Sequence, residues 1–338
     1  PTLLAICLPV ASFAAEYTIK YGHVGPVTSD DQVPGEFLKS FLEARSNGRI
    51  TVEIYPGAQL GNFRDMIEQV QLNTLELTHT TVGGIANFWP ELQVTDIPYM
   101  MNGDSIAEHI AQSSFFDEVR DEILKATGNV RLVAVGNTGR WRNFFTTKKL
   151  IKSAADMKGV KMRTINSPLQ IEFIKALGGN PTPVAWGELY TSLQTGVVEG
   201  TKNAATDIIP TKMYEAVKYV TLDEHAYLFG FWWMSDKWLQ SLPPDLQDLV
   251  IDGIQQAAMI QSDWNKEYDS RALQEFVGFG GEIYVPSAEE KATFVTARDK
   301  MKVWFADKYG DTWLKKFEKA VAEAEADVAG RNNRVIGR

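Results

Sequence analysis

Five residues between Gly136 and Asn203 have the chemistry to hold a small organic anion: Arg140, Arg142, Arg163, Trp186 and Asn203. An arginine presents a rigid fork of donors that meets a carboxylate through two parallel bonds. A tryptophan face supplies apolar area for a carbon skeleton. An asparagine amide can donate to one oxygen and accept from a hydroxyl. Taken singly, each has a plainer explanation: an arginine in a surface ion pair, a tryptophan in the core. Arg163 stands apart by position. In "MKGVKMRTINSP", Val160 and Met162 alternate with Lys161 and Arg163, which predicts a strand stopped at Ser167-Pro168. That puts Arg163 near the carboxyl end of a strand, where open α/β sheets bind ligands.

Other chemistries lack their residues. No G-x-S-x-G, G-x-G-x-x-G, P-loop or H-E-x-x-H motif occurs. The histidines His23, His79, His109 and His225 show no metal-ligand spacing, so neither a metal nor a cofactor is expected. Most of the four read as structural. His23, at the end of the first predicted strand, is kept as a ligand candidate. Asp30-Asp31 reads as the cap of the first helix. A formal charge of −9 on 338 residues argues against nucleic acid as a partner, yet allows a local concentration of donors for a small anion.

The elements that must position these residues follow from periodicity. "YTIKYGHV", "ITVEIYP" and "TLELTHT" read as strands, separated by helices over about Asp31 to Arg45 and "FRDMIEQVQLN". This alternation predicts a parallel sheet covered by helices. It begins again at "NVRLVAVGN" and "GVKMRTI", followed by a helix from about Pro168 to Leu177, the short helix "WGELYTSLQTG" and then "VVEGTKN". Two such units predict an α/β protein of two lobes. "YVTLDEHAYLFGFWWMS" reads as a long extended run able to carry the chain between lobes, and Ser241 to Phe276 as a long helix. "GGEIYVP" is a late strand, and the tail from Ser287 is helical. If Trp232 or Trp233 faces the cleft, the pocket favours a compact or partly apolar acid. In a strand at most one of the two can do so.

The opening "PTLLAICLPVASFAA" is uncharged, largely apolar and ends in small residues. It reads as the remnant of a secretory signal peptide, residues 1–14, cleaved before Ala15. The one cysteine, Cys7, lies inside it, so the expected mature chain has no thiol chemistry.

Several stretches, in order, resemble the solute-binding proteins of tripartite ATP-independent periplasmic (TRAP) transporters, the DctP family. They are "GAQLGN", "IPYMMNGD", "IKSAADMKGVKMRT", "LGGNPTPVAWGELYTSLQTGVVEGTKN" and "MYEAVKYVTLDEH". The similarity runs from about Tyr17 to about Ala320. It implies a two-lobed periplasmic binding protein fold, with the ligand cleft between the lobes and a long connecting helix. One lobe would comprise residues 15–139 and 228–268, the other 140–227 and 269–338. Arg163 matches the family arginine that forms a bidentate salt bridge with the ligand carboxylate. Trp186 falls on an aromatic position beside the ligand, more often Phe, and Asn203 on a family asparagine usually preceded by Glu, where this chain has Lys202. Arg142 matches a second arginine of many members, with Arg140 competing for the role. Sialic-acid-binding members carry a ligand-contacting glutamate near the position of Thr81, which disfavours sialic acid. The resemblance further implies a periplasmic, mostly monomeric protein that takes a small organic acid by hinge closure and delivers it to sodium-driven TRAP membrane permease subunits. A sensory binding protein, or an enzyme acting on a small acid, is the alternative.

Overall fold

The computed structural model describes residues 15–336. The proposed signal segment lies outside the described residues. Among the described residues, nine strands form one continuous sheet. They are β1 (Tyr17–Gly22), β2 (Ile50–Tyr55), β3 (Leu77–Thr80), β4 (Val130–Thr146), β5 (Lys161–Thr164), β6 (Asn180–Pro183), β7 (Gly200–Asn203), β8 (Tyr219–Ser235) and β9 (Glu282–Tyr284). Their order is β2-β1-β3-β8-β4-β7-β5-β6, with β9 alongside β8. β1 runs parallel to β2 and β3; β5 runs parallel to β6 and β7. The first is the parallel unit anticipated from the alternating pattern; the second keeps "GVKMRTI" and "VVEGTKN", but "NVRLVAVGN", expected to open it, lies in β4, which runs antiparallel to both of its neighbours, β8 and β7. The two units are joined by the antiparallel pair β4 and β8, each 17 residues long. The last part of β8 pairs with β3 and with the first half of β4, and the last part of β4 pairs with β7 and with the first half of β8.

The joint between the halves is irregular. The β4–β8 register shifts between Asn137 and Arg140. There Gly139 has φ +118° and Arg140 φ +68°, a region costly for a residue with a side chain. Asn137 stabilises the bulge, its Oδ1 accepting from the backbone N–H groups of Gly139 at 3.0 Å and Arg140 at 2.9 Å. Opposite, Gly230 is needed for space: a Cβ there would lie 2.4 Å from His79 Nε2.

Alternation explains the packing. In β8, Phe229, Phe231 and Trp233 enter a core with Met66, Ile67, Val70 and Phe116. Trp232 and Met234 enter a second core on the other face with Ile19, Tyr21, Leu38, Leu42, Val250 and Ile254. The long helix begins at Pro244, past Pro243, and runs to Gly278. It spans the two lobes: Val250 and Ile254 pack in the second core, while Ala272 and Phe276 pack in a third with Phe145, Leu189 and Leu193. β6 is a strand that periodicity does not reveal, because Pro181 and Pro183 cannot donate to a ladder. It is tolerated at the sheet edge, where one side needs no partner. No helix among the described residues is long and apolar enough to cross a membrane.

Candidate functional site

Arg163 is the third residue of β5, at its carboxyl end as predicted, and is 4% exposed. Its Nε donates to the Val184 carbonyl at 3.0 Å, which fixes the guanidinium plane. The guanidinium carbon lies 5.8 Å from the centre of the Trp186 ring. No carboxylate among the described residues pairs with it. Burial, then the neighbouring Arg142, pull its value down to about 9, with Asp207 opposing. A guanidinium does not give up its proton near neutral pH. The unmet demand is therefore for an anion.

Arg142 is also 4% exposed. Its Nη1 donates to the Lys202 carbonyl at 3.3 Å, and its buried Nε has no partner. Both arginines face one small cavity between the lobes, of about 50 Å³. Trp186, Asn203, Thr206 and Asp207 complete that side. Asp30, Asp31, His79 and Thr81 line the other, and Thr138 and Leu228 lie at the joint. The structure thus brings together Arg163, Arg142, Trp186, Asn203 and Thr81 from the residues singled out in the sequence.

Four others lie elsewhere. Arg140 is turned by the bulge away from the cavity into ion pairs with Asp104 and, at 2.9 Å, Asp269. Trp232 is fully buried, stacked 5.2 Å from Tyr21, with its Nε1 donating to Gln261 at 3.2 Å. Trp233 donates to Thr80 at 2.8 Å in the opposite core. Neither tryptophan lines the cavity, because β8 is covered on both faces and its aromatic run is packing. His23 is buried behind the cavity wall, bonded to Gln32 at 3.1 Å and 3.7 Å from Asp31. Burial pushes its imidazole down, against the pull of Asp31.

Sequence reasoning missed the acidic part of the wall. Asp31 stands at the helix N-cap position but makes no capping bond with its side chain. The carboxylate instead meets His79 Nδ1 at 2.8 Å. Burial raises Asp31, yet the His79 hydrogen bond and the charges of His79 and His23 hold it below the ordinary value. Asp30 Oδ2 accepts from Thr138 at 2.8 Å, Asn265 at 2.9 Å and Gln261 at 3.1 Å. Burial, then Asp31 and Asp207, push Asp30 up to about 7. The available signal was position: "SDD" follows the carboxyl end of β1, as Arg163 does on β5. Lys202, the departure noted beside Asn203, points away from the cavity; its Nζ donates to Gln170 at 2.9 Å. Burial and the charge of Arg142 push its ammonium well below the ordinary lysine value. No group of three or more His, Cys, Asp or Glu residues placed to hold a metal ion occurs among the described residues.

A two-lobed α/β fold thus encloses a cleft with two arginines on one side and aspartates beside and opposite them. The chain belongs to the bacterial extracellular solute-binding protein family 7, DctP, whose model matches residues 22–306, and it is a solute-binding protein of the TRAP class. A solute-binding protein of Verminephrobacter eiseniae is 29% identical over 92% of this chain and 91% of its own length. One of Roseobacter denitrificans is 30% identical over 82% of this chain and 83% of its own. A TRAP periplasmic solute-binding protein of Desulfovibrio salexigens, solved with bound orotic acid, superposes with a TM-score of 0.85. It is 27% identical, and the match covers 91% of this chain and 99% of the other.

Proposed function

We propose that this chain captures a small organic acid in the periplasm and presents it to the membrane subunits of a TRAP permease. The carboxylate is taken by the Arg163 fork, with Arg142 alongside and the Trp186 face over the carbon skeleton. The observation that carries this reading is a nearly buried arginine that, among the described residues, is bonded only through Nε, in a cavity between lobes. An uncompensated buried charge is costly. A carboxylate removes that cost and adds charge-assisted bonds worth about 1.5–3 kcal/mol each. Relatives that carry an acid in their solved structures support the same ligand class.

The lobes would be residues 15–139 with 228–268, and 140–227 with 269–338. They would swing about the bulged joint of β4 and β8, expelling water and strengthening the bonds inside. Binding rather than turnover is the role.

The test is a thermal-shift screen against organic acids after unfolding and refolding to strip carried-over ligand. At 100 times its dissociation constant a ligand adds about 2.7 kcal/mol, a shift of a few degrees. A hit lost in Arg163→Ala supports the reading. Absence of any hit among acids, or a hit retained in that variant, contradicts it.

A further inference from the structure

Resting on the reading of the cleft as an organic-acid site, we infer that its ligand is a polyhydroxylated monocarboxylic acid of sugar-acid type. Its hydroxyls are read by an acidic pole, Asp30 and Asp207 with Ser29 and Thr206, that rejects a second carboxylate.

The cavity is chemically polar in two senses. Arg163 and Arg142 gather the positive charge, while Asp30, Asp31 and Asp207 line the same enclosed space. The carboxyls have been left half-satisfied. Asp30 Oδ2 accepts three protein hydrogen bonds, but Oδ1 accepts none among the described residues. Asp207 Oδ2 accepts from the Asn203 amide at 2.8 Å and the Ala204 N–H at 3.1 Å, and its Oδ1 likewise accepts none. The free Asp207 oxygen can accept from a donor, and the free Asp30 oxygen can accept or, when protonated, donate. Two hydroxyls add to the set. Thr206 and Ser29 are 3% and 7% exposed, line the cavity, and their oxygens are buried without a partner. Buried polar atoms in a folded protein are hydrogen-bonded, so an orphaned set on one wall calls for a partner that both donates and accepts. A hydroxyl does both; a carboxylate only accepts, and a methylene does neither.

Charge sharpens the choice. Asp30, Asp31 and Asp207 influence one another electrostatically, and Asp31, held below the ordinary value against burial by its bond to His79, keeps a negative charge at this pole at neutral pH. A second ligand carboxylate at this pole would face like charge in a medium of low dielectric. The aromatic residues that would have favoured an apolar acid are in the two cores, apart from Trp186 and Phe63 at the cavity wall.

The experiment is calorimetric titration of the ligand-stripped protein with acids of one chain length: D-galactonate, hexanoate, adipate and 6-aminohexanoate, with galactitol as the neutral control. Galactonate should bind at least tenfold more tightly than the other acids. Asp207→Asn and Asp30→Asn should each weaken galactonate at least tenfold while leaving any residual hexanoate affinity unchanged. The second variant serves if the first misfolds, as judged by circular dichroism. Equal binding of hexanoate and galactonate, tighter binding of adipate, or galactonate affinity unmoved in both variants overturns the acidic pole while leaving the carboxylate site standing. Preference for 6-aminohexanoate would assign the pole to an ammonium and overturn the hydroxyl assignment. Galactitol binding as well as galactonate would instead contradict the organic-acid reading itself.

Discussion

Asn203 donates its amide to Asp207 Oδ2 at 2.8 Å and accepts from the Thr201 hydroxyl at 2.5 Å with its own oxygen. The asparagine at the cleft is thus committed on both ends to the protein. Any contribution it makes to binding would run largely through Asp207, whose carboxylate it aims and whose charge it stabilises against burial. Asn203→Ala should weaken binding of a hydroxylated acid by roughly tenfold, the worth of one charge-assisted bond. Asn203→Asp, which sets two carboxylates in contact, should cost more. Titration of both variants checks the order. Asn203→Asp binding as well as Asn203→Ala would contradict it.

Trp186 is a lid on the arginine. Its ring centre lies 5.8 Å from the Arg163 guanidinium, a contact worth about 0.5–2 kcal/mol depending on solvation. Trp186→Ala should cost several-fold in ligand affinity and shift the melting point of the empty protein by only a few degrees. Trp186→Phe should recover most of the affinity. A large loss of stability without ligand would make Trp186 a core residue.

Arg140 ties the bulge of β4 to the helix Asp104–Ala111 and to the long helix through Asp104 and Asp269. The three side chains are about a quarter exposed, so screening reduces the gain. Arg140→Met should lower the stability of the empty protein by about 1–2 kcal/mol and leave the selectivity among ligands unchanged. A change of ligand preference, read by the same titrations, would place Arg140 at the cleft after all.

Asp30 gives the cleft a pH signature. Its folded value of about 7 lies above that of an unfolded aspartate, near 3.9. The folded state therefore binds this proton more tightly. The stability it contributes is fully present below the unfolded value and is lost as pH rises through about 7. Asp30→Asn keeps the neutral form at every pH. In denaturant titrations without ligand, the variant should gain on the wild type between about pH 4 and 7, by at most about 1.4 kcal/mol per pH unit, and run parallel above that. A constant difference across this range would contradict the assignment.

Periodicity made the three-strand unit β1–β3 and the long helix legible, because their apolar residues repeat at the spacing of a strand or a helix; β8 was legible as a long aromatic run. Arg163 was legible because it ends a strand and sits in a motif of distinctive order. The choice between Arg140 and Arg142 was not, since the bulge at Asn137–Arg140 resets the alternation that decides which side chain faces the cleft. Asp30 and Asp31 look like any helix start. Only the fold brings His79 and Asn265 to them and turns their carboxylates inward. Trp232 was misleading for a related reason: a strand buried on both faces offers no polar alternation to say which side is the cavity.

The central claim is that the Arg163 fork receives the ligand's carboxylate. The most direct measurement is calorimetric titration of Arg163→Lys beside Arg163→Ala and wild type, using whichever acid gives the largest thermal shift. Lysine keeps the charge but cannot form the paired bonds. At least a tenfold loss of affinity is expected in Arg163→Lys, equivalent to about 1.4 kcal/mol, with a greater loss in Arg163→Ala and an unchanged fold in both. Wild-type affinity in either variant would contradict it.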